Sequence, residues 1–125
     1  MKLQPDKSSA PTIQAYEPSW IEVNGIRHDH SLSVTSLTDV PPARWASHDF
    51  DALSASDFSP WADSGCELIV FGSGKKLRVP KPQWLQDLVR HGIGVETMDT
   101  PAACRTYNIL ASEGRKVVAL LLIET

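Results

Sequence analysis

The chain has 125 residues, of which 42% are hydrophobic and 22% are charged, and its formal net charge is −3. This composition is typical of a soluble globular domain and excludes wholesale disorder. The longest apolar run, residues 117–123, has seven residues, whereas a membrane-spanning helix needs roughly 20. The length allows one sizeable hydrophobic core, so we expect a single domain and no membrane span.

The first residues, 1–12, are polar and include two prolines. They show no hydrophobic periodicity, which predicts a flexible N-terminal arm before a single domain over residues 13–125. The start of the chain has neither the apolar stretch of a secretory signal nor the arginine-rich character of a mitochondrial presequence. We therefore expect a cytoplasmic protein.

A β-hairpin is predicted around Asn24-Gly25, which separates two extended runs at residues 20–23 and 26–32. Both central residues of a type I′ turn need a positive φ, and Asn-Gly supplies it most readily. A further strand over residues 33–37 is expected to continue this hairpin.

Only short elements are predicted between the hairpin and residue 61. Residues 44–46 are compatible with a short strand. Residues 54–61 are compatible with a short helix capped by Ser54 or Ser56, although Pro60 fits poorly inside it.

The second half of the sequence alternates strand and helix patterns. The predicted order is strand 67–71, helix 82–91, strand 94–98, a helix capped by Thr100 that ends at Glu113, and strand 117–123. This alternation indicates an α/β fold whose first crossover joins two parallel strands and is right-handed. The last strand is the most apolar and is expected to lie centrally in the sheet.

Parallel neighbours would bring the loops after strands 67–71 and 94–98 to one sheet edge, where ligands bind in open α/β sheets. A helix N-terminus and nearby lysines would favour a small anion there. The alternative is that the glycines only allow a tight turn and that Asp99 and Thr100 only cap a helix. The candidate residues of this crevice are Gly72, Ser73, Gly74, Lys75, Asp99 and Thr100.

The predicted helix after Thr100 has a polar face formed by Arg105, Asn108 and Ser112. Asparagine is unfavourable in the middle of a helix, so Asn108 is expected to hydrogen-bond to a neighbouring loop. Cys104, in the first helical turn, is either a thiol of lowered pKa or a small buried side chain.

The two cysteines, Cys66 and Cys104, are too few and too far apart for a disulfide scaffold or a zinc knuckle. His28 and His30 fall on one strand face, but no third ligand can be assigned to it. No Ser-His-Asp set can be assembled either. We therefore expect no metal, no cofactor and no catalytic residue.

Four cations lie close together after the first predicted parallel strand, at Lys75, Lys76, Arg78 and Lys81. A nucleic-acid-binding surface usually shows a larger basic footprint with interleaved aromatic residues. We expect no nucleic-acid partner.

Several motifs together resemble a known family over residues 13–123. They are Val23-Asn24-Gly25, Leu68-Ile69-Val70-Phe71-Gly72-Ser73-Gly74, Gly92-Ile93-Gly94-Val95-Glu96 and Asp99-Thr100-Pro101…Ala103…Thr106-Tyr107-Asn108…Glu113-Gly114-Arg115. The sequence is similar to the Mth938-like domain family, which is shared by a mitochondrial respiratory complex I assembly factor and an adipogenesis-associated protein.

The resemblance implies a three-layer α/β fold, with an N-terminal hairpin, two principal helices and a mixed central sheet whose final strand runs against its neighbours. It implies no established catalytic residue, metal or cofactor, and protein assembly at the inner membrane for the mitochondrial member. The most specific of these motifs covers the predicted helix after Thr100. Its polar residues in and beside that helix are Arg105, Asn108 and Arg115.

Our leading interpretation is a non-enzymatic binding or assembly-helper domain that acts through protein–protein contacts with an unknown protein partner. The alternative is a small-molecule or anion-binding protein, or an enzyme, that uses the crevice between Gly72-Ser73-Gly74 and the helix starting at Thr100. Peripheral association with a membrane stays open in both.

Overall fold

A computed structural model describes residues 10–124, which form two β-sheets and three α-helices. The strands are β1 (Ile13–Glu17), β2 (Trp20–Val23), β3 (Ile26–His28), β4 (Leu32–Thr35), β5 (Ala43–Arg44), β6 (Leu68–Gly72), β7 (Gly94–Met98) and β8 (Val117–Leu121). The helices are α1 (Ala55–Phe58), α2 (Gln86–Arg90) and α3 (Thr100–Ser112). The small sheet has the order β1-β2-β3 and the large sheet has the order β5-β4-β8-β6-β7.

The predicted hairpin is confirmed as β2 and β3, which pair in antiparallel register around the Asn-Gly turn. Asn24 has a φ of 49° and Gly25 a φ of 82°, as a type I′ turn requires. β1 pairs with the other edge of β2 and completes the small sheet.

The large sheet is mixed, with the apolar strand β8 at its centre. β6 is parallel both to β7 and to β8, while β8 is antiparallel to β4. The predicted parallel crossover between β6 and β7 is confirmed. The expectation that the final strand runs against its neighbours is wrong for β6 and correct for β4.

The strand predicted over residues 33–37 does not continue the hairpin. It forms β4 instead, between β5 and β8 in the large sheet. All four residues of β4 are buried, and a central position in a sheet provides that burial, whereas the edge of a hairpin would not. The short strand predicted at residues 44–46 is observed as β5, one to two residues earlier.

The predicted short helix is α1, with Ser54 as its N-cap residue. The Ser54 N–H donates to Asp57 Oδ2 (2.9 Å). The chain then tightens into a 3₁₀ turn over Ser59–Asp63, because Pro60 cannot provide the N–H that an α-helix needs at that position.

The continuous helix predicted over residues 82–91 is wrong. The chain forms a 3₁₀ turn over Pro82–Trp84 and then the short helix α2. Trp84 and Leu88 are buried, but Val89 is exposed, so the apolar face is narrower than the sequence pattern indicated.

Two apolar clusters cover the two faces of the large sheet and give the fold three layers. One cluster joins α3 and the small sheet to one face of β6 and β8. The other holds the short helices and the aromatic side chains against the opposite face. Cys104 belongs to the first cluster and Cys66 to the second, so the two free thiols lie on opposite sides of the sheet.

Most of the predicted flexible arm, residues 1–9, lies outside the described residues. Residues 10–12 lie beside α3, where the Tyr107 hydroxyl donates to the Pro11 carbonyl (2.8 Å). The single domain over residues 13–125 stays a prediction.

Candidate functional site

The loops after β6 and β7 meet at one edge of the large sheet, as the parallel strand order predicts. The Gly74 N–H donates to Thr100 Oγ1 (2.9 Å), and the Thr100 N–H donates to the Gly74 carbonyl (2.8 Å). The Thr100 hydroxyl donates in turn to the Leu122 carbonyl (2.7 Å) just beyond β8. Thr100 therefore ties the loop after β6 to β8, and its hydroxyl is used within the chain.

Gly72 allows the end of β6 to approach the start of α3. A Cβ at this position would lie 2.9 Å from Thr100 Oγ1 and 3.0 Å from Thr100 Cα. The first distance is shorter than real Cβ contacts, and the second, to backbone, is tighter than nine in ten of them. Gly72 is therefore explained by the packing of β6 against α3.

Ser73 is buried and organises the loop that follows it. Its hydroxyl lies 2.8 Å from the Lys76 carbonyl and 3.2 Å from the Met98 carbonyl, and it accepts the Arg78 N–H (2.9 Å). With these partners, Ser73 sets the shape of the loop and does not present a free hydroxyl to a ligand.

The start of α3 offers an anion few free donors. The Thr100 N–H is already used, Pro101 has none, and the Ala102 N–H donates to Asp99 Oδ1 (2.8 Å). Asp99, and not Thr100 as predicted, is the N-cap residue. Its carboxylate satisfies the helix end in the way that a bound anion would. Anion binding there stays a prediction that the hydrogen bonding does not favour.

A cavity of about 290 Å³ lies at the same edge of the sheet. Its walls are mostly apolar, and the charged groups among them are two carboxylates and one ammonium. The lining residues are Tyr16, Glu17, Pro18, Gly74, Lys75, Thr100, Pro101, Leu122, Ile123 and Glu124. The cavity thus contains Gly74, Lys75 and Thr100 from the predicted crevice, but not Gly72, Ser73 or Asp99.

Glu124 is a residue of this site that the sequence analysis missed. Its carboxylate pairs with the Arg78 guanidinium and accepts the Lys75 N–H (3.2 Å). The strand order could have indicated Glu124, because a central β8 that is parallel to β6 brings its carboxyl end to this edge. We expected the final strand to run against its neighbours, which would have placed that end at the opposite edge.

The polar face of α3 attaches the small sheet to the rest of the molecule. Asn108 Oδ1 accepts the Ile13 N–H (2.9 Å), and Asn108 Nδ2 donates to the Ile13 carbonyl (2.7 Å). The Arg105 guanidinium donates to the Tyr16 hydroxyl. Asn108 was predicted to bond to a loop, and its partner is instead the first residue of β1.

Arg115 lies at the opposite end of the large sheet, away from the crevice. Its Nε donates to Glu67 Oε1 (2.7 Å), and the Lys116 N–H donates to Glu67 Oε2 (3.2 Å). The hydrogen bond from Arg115 is the main reason why the pKa of Glu67 is lowered. These contacts hold the entries to β6 and β8 together.

Among the residues that the structure describes, no cysteine or histidine lines the cavity at the crevice. Burial raises the pKa of the Cys104 thiol to about 12, so the lowered pKa considered from the sequence is wrong. The His28 and His30 rings lie edge-on, 5.7 Å apart, and partial burial is the main cause that lowers the pKa of His28. Within residues 10–124, no group of three or more His, Cys, Asp or Glu residues could hold a metal ion.

Residues 13–122 match the model of a family described as "Protein of unknown function (DUF498/DUF598)". The chain belongs to this family. Among solved structures, it is similar to a crystal structure from Bordetella parapertussis, with 36% identity, a TM-score of 0.85, and coverage of 96% of this chain and 100% of that one. A solution structure from Bordetella pertussis, described as a Mth938-like domain, shares 32% identity with a TM-score of 0.81, covering 99% of this chain and 93% of that one. The predicted Mth938-like α/β fold is confirmed.

The chain is also similar to proteins whose names describe them as assembly factors. The chain is 30% identical over 124 residues to the zebrafish (Danio rerio) protein named NADH dehydrogenase (ubiquinone) 1 alpha subcomplex assembly factor 3, covering 96% of this chain and 68% of that protein. It spans 65% of the human protein of the same name, also at 30% identity and 96% coverage of this chain. The chain thus corresponds to about two thirds of these relatives.

A bacterial relative has a name that mentions a membrane. The "13 kDa major membrane protein" of Francisella tularensis is 27% identical over 123 residues, covering 98% of this chain and 99% of that protein. Among the described residues of the present chain, no helix is long and apolar enough to cross a bilayer.

Proposed function

We propose that this chain is a non-enzymatic domain that binds another protein and helps it to assemble, and that it acts in the cytoplasm. The observation that carries the proposal is the extent of its similarity to proteins named as assembly factors. The similarity covers 96% of this chain at 30% identity, so it includes both sheets and α3. Such a domain would act through a feature of its surface.

The free edge of β7 is the feature that best suits a protein partner. The Met98 carbonyl accepts the Ser73 N–H (2.9 Å) and so faces β6. Backbone groups alternate in direction along a strand, which turns those of Val95 and Thr97 away from β6. Within residues 10–124, no group forms a hydrogen bond with these outward N–H and C=O groups.

An extended segment of a partner could add a strand along β7, because an open sheet edge presents unpaired donors and acceptors. β7 is five residues long, which is long enough for a short added strand. Backbone pairing would supply affinity, and the exposed side chain of Glu96 would favour a basic residue on the partner.

The experiment compares Thr97→Pro with Thr97→Ala in the full chain, each expressed with an affinity tag in the native cell. Proline removes the outward N–H without removing a bond to β6, whereas alanine keeps that N–H. The wild type and Thr97→Ala should retain a stoichiometric protein partner that Thr97→Pro loses.

Matching melting temperatures would confirm that both variants are folded. A partner retained equally by Thr97→Pro would contradict the β7 edge as the contact. The absence of any stoichiometric protein partner of the wild type would contradict the proposed function itself.

The cavity beside Gly74 and Thr100 supports a second candidate function, the binding of a small molecule or anion, with or without catalysis. Its test follows backbone amide shifts while inorganic phosphate is titrated into the protein. Saturable shifts confined to residues 72–76 and 99–104 would support this alternative. Shifts spread over exposed lysines would indicate nonspecific screening and exclude an anion site at this crevice.

A further inference from the structure

The loop over residues 75–81 combines positive charge with exposed aliphatic side chains. We call it the basic loop. Its sequence, Lys-Lys-Leu-Arg-Val-Pro-Lys, contains four of the 12 Lys and Arg residues of the chain. Leu77 is 59% exposed and Val79 is 73% exposed. Ile26, Val89 and Ile109 are exposed to a similar degree, but among the described residues only Leu77 and Val79 lie two positions apart within a cationic segment.

The basic loop is held in a defined shape by contacts at its base. The Ser73 hydroxyl accepts the Arg78 N–H (2.9 Å) and lies 2.8 Å from the Lys76 carbonyl. The Arg78 guanidinium turns inward, pairs with Glu124 and lies 4.9 Å from the centre of the Phe50 ring. Because Arg78 points inward, Leu77 and Val79 on either side of it point outward.

The exposed cations of the basic loop are all lysines. Lys75, Lys76 and Lys81 are exposed, and the Lys81 ammonium lies 5.8 Å from the centre of the Trp84 ring. A lysine ammonium is a hydrated point charge that suits a diffuse negative surface, whereas arginine is the usual choice for paired recognition of a single carboxylate. The exposed Asp49 and Asp51 flank Phe50 beneath Arg78 and reduce the positive potential on that side. The attraction is therefore modest and sensitive to salt.

We infer that the basic loop contacts the surface of an anionic lipid bilayer, with Leu77 and Val79 in the headgroup region and the three lysines on lipid phosphates. The protruding aliphatic side chains favour lipid over an acidic protein, because a bilayer can receive them without a matching pocket. The lysines would supply the electrostatic part of the binding. This inference does not depend on the proposed protein partner.

The test measures binding of the purified full chain to sedimented vesicles. Neutral phosphatidylcholine vesicles are compared with vesicles rich in phosphatidylserine, at low and at physiological salt. The chain should bind the anionic vesicles and not the neutral ones. Lys76→Gln should weaken binding about fivefold, the share of one lysine near an anionic surface. Leu77→Ser should weaken the binding that remains at physiological salt, since apolar contact is not screened.

Two substitutions outside the loop serve as matched controls. Val89→Ser removes another exposed aliphatic side chain, and Lys116→Gln removes another exposed lysine; both should bind vesicles like the wild type. Inorganic phosphate at matched ionic strength should compete no better than chloride, which separates a membrane surface from a site for free phosphate.

Several results would overturn the inference. They are equal binding to both kinds of vesicle, no binding to the anionic ones, and undiminished binding when all three lysines are changed to glutamine. Capture of an acidic protein that requires these lysines, without vesicle binding, would reassign the basic loop to a protein surface. Melting temperatures near that of the wild type would show that the exposed substitutions leave the fold intact.

Discussion

The amide of Asn108 connects α3 to β1 by satisfying both backbone groups of Ile13. It accepts the Ile13 N–H at 2.9 Å and donates to the Ile13 carbonyl at 2.7 Å. This arrangement resembles the pairing of an additional strand with the edge of the small sheet. It explains why a residue unfavourable inside a helix stands in the middle of α3.

Asn108→Ala should therefore lower the free energy of unfolding by about 1–3 kcal/mol, because the partly buried Ile13 groups would lose both partners. Ser112→Ala, on the exposed part of the same helix, should change it by less than about 0.5 kcal/mol. Urea denaturation of both variants measures the difference. A loss for Asn108→Ala as small as that for Ser112→Ala would show that Asn108 does not hold the small sheet.

Cys104 is a buried neutral thiol whose ionisation opposes folding. Its pKa is raised by burial from 9.0 to about 12 in the folded chain. A raised folded-state pKa gives stability that is complete below the unfolded value and is lost as the pH rises toward the folded value. From about pH 8 to pH 10, the unfolding free energy of the wild type should fall by roughly 1 kcal/mol more than that of Cys104→Ala.

Chemical denaturation at several pH values measures these two slopes. Burial also raises the pKa of Tyr107, but both proteins carry that group, so its contribution cancels in the comparison. Equal pH dependence of the two proteins would contradict the burial of a neutral Cys104 thiol.

At the scale of elements, the contact between β6 and α3 depends on Gly72. A methyl group there would meet Thr100 backbone at 3.0 Å, so Gly72→Ala should cost about 1–3 kcal/mol through displaced packing. Gly94→Ala offers a matched control in β7, since its Cβ would meet nothing within 4 Å. The measurement is the melting temperature of each variant. An unchanged Gly72→Ala melting temperature would mean that β6 and α3 are less closely packed.

Local sequence patterns predicted the elements whose cause is local. The Asn24-Gly25 turn, the apolar strands β6 and β8 and the helix after Asp99 all follow from short-range chemistry. The prediction that residues 33–37 continue the hairpin is wrong. These residues form β4, and their own sequence does not show that their partners are β5 and β8. Likewise, Val89 fits an amphipathic helix by its spacing, yet only the tertiary packing determines that it is exposed.

The residues of the candidate site likewise fall into those that the sequence predicts and those that depend on the tertiary structure. The meeting of Gly74 with Thr100 follows from the parallel order of β6 and β7. Glu124 and Tyr16 reach the cavity from distant parts of the chain, and their presence depends on the direction of β8 and on the docking of β1. The sequence also did not show that the Asp99 carboxylate accepts the Ala102 N–H at the start of α3, because that bond depends on the orientation of the side chain.

At the scale of the whole molecule, the large sheet separates the two cysteines. Cys66 and Cys104 belong to apolar clusters on opposite faces, so a disulfide between them would require the sheet to be breached. Thermal melts with a reductant, with a chelator and with neither should coincide. A melting temperature several degrees lower in either reagent would reveal a stabilising disulfide or metal ion.

The surface features on which the proposals rest are the outward backbone groups of β7 and the side chains of the basic loop. Of these residues, Val95 packs its side chain against the second apolar cluster. Variants at Thr97 and at the exposed positions of the basic loop should therefore change binding more than they change stability. This separation makes the proposed contacts testable in a folded chain.

The central claim is that a protein partner adds a strand to β7. Amide hydrogen exchange at Val95 and Thr97 tests it most directly, measured in the free chain and in the complex purified from the native cell. The account predicts fast exchange of both N–H groups in the free chain and strong protection in the complex, with little change in the N–H groups of Glu96 and Met98, which already face β6. Fast exchange of Val95 and Thr97 in a stoichiometric complex would contradict the account.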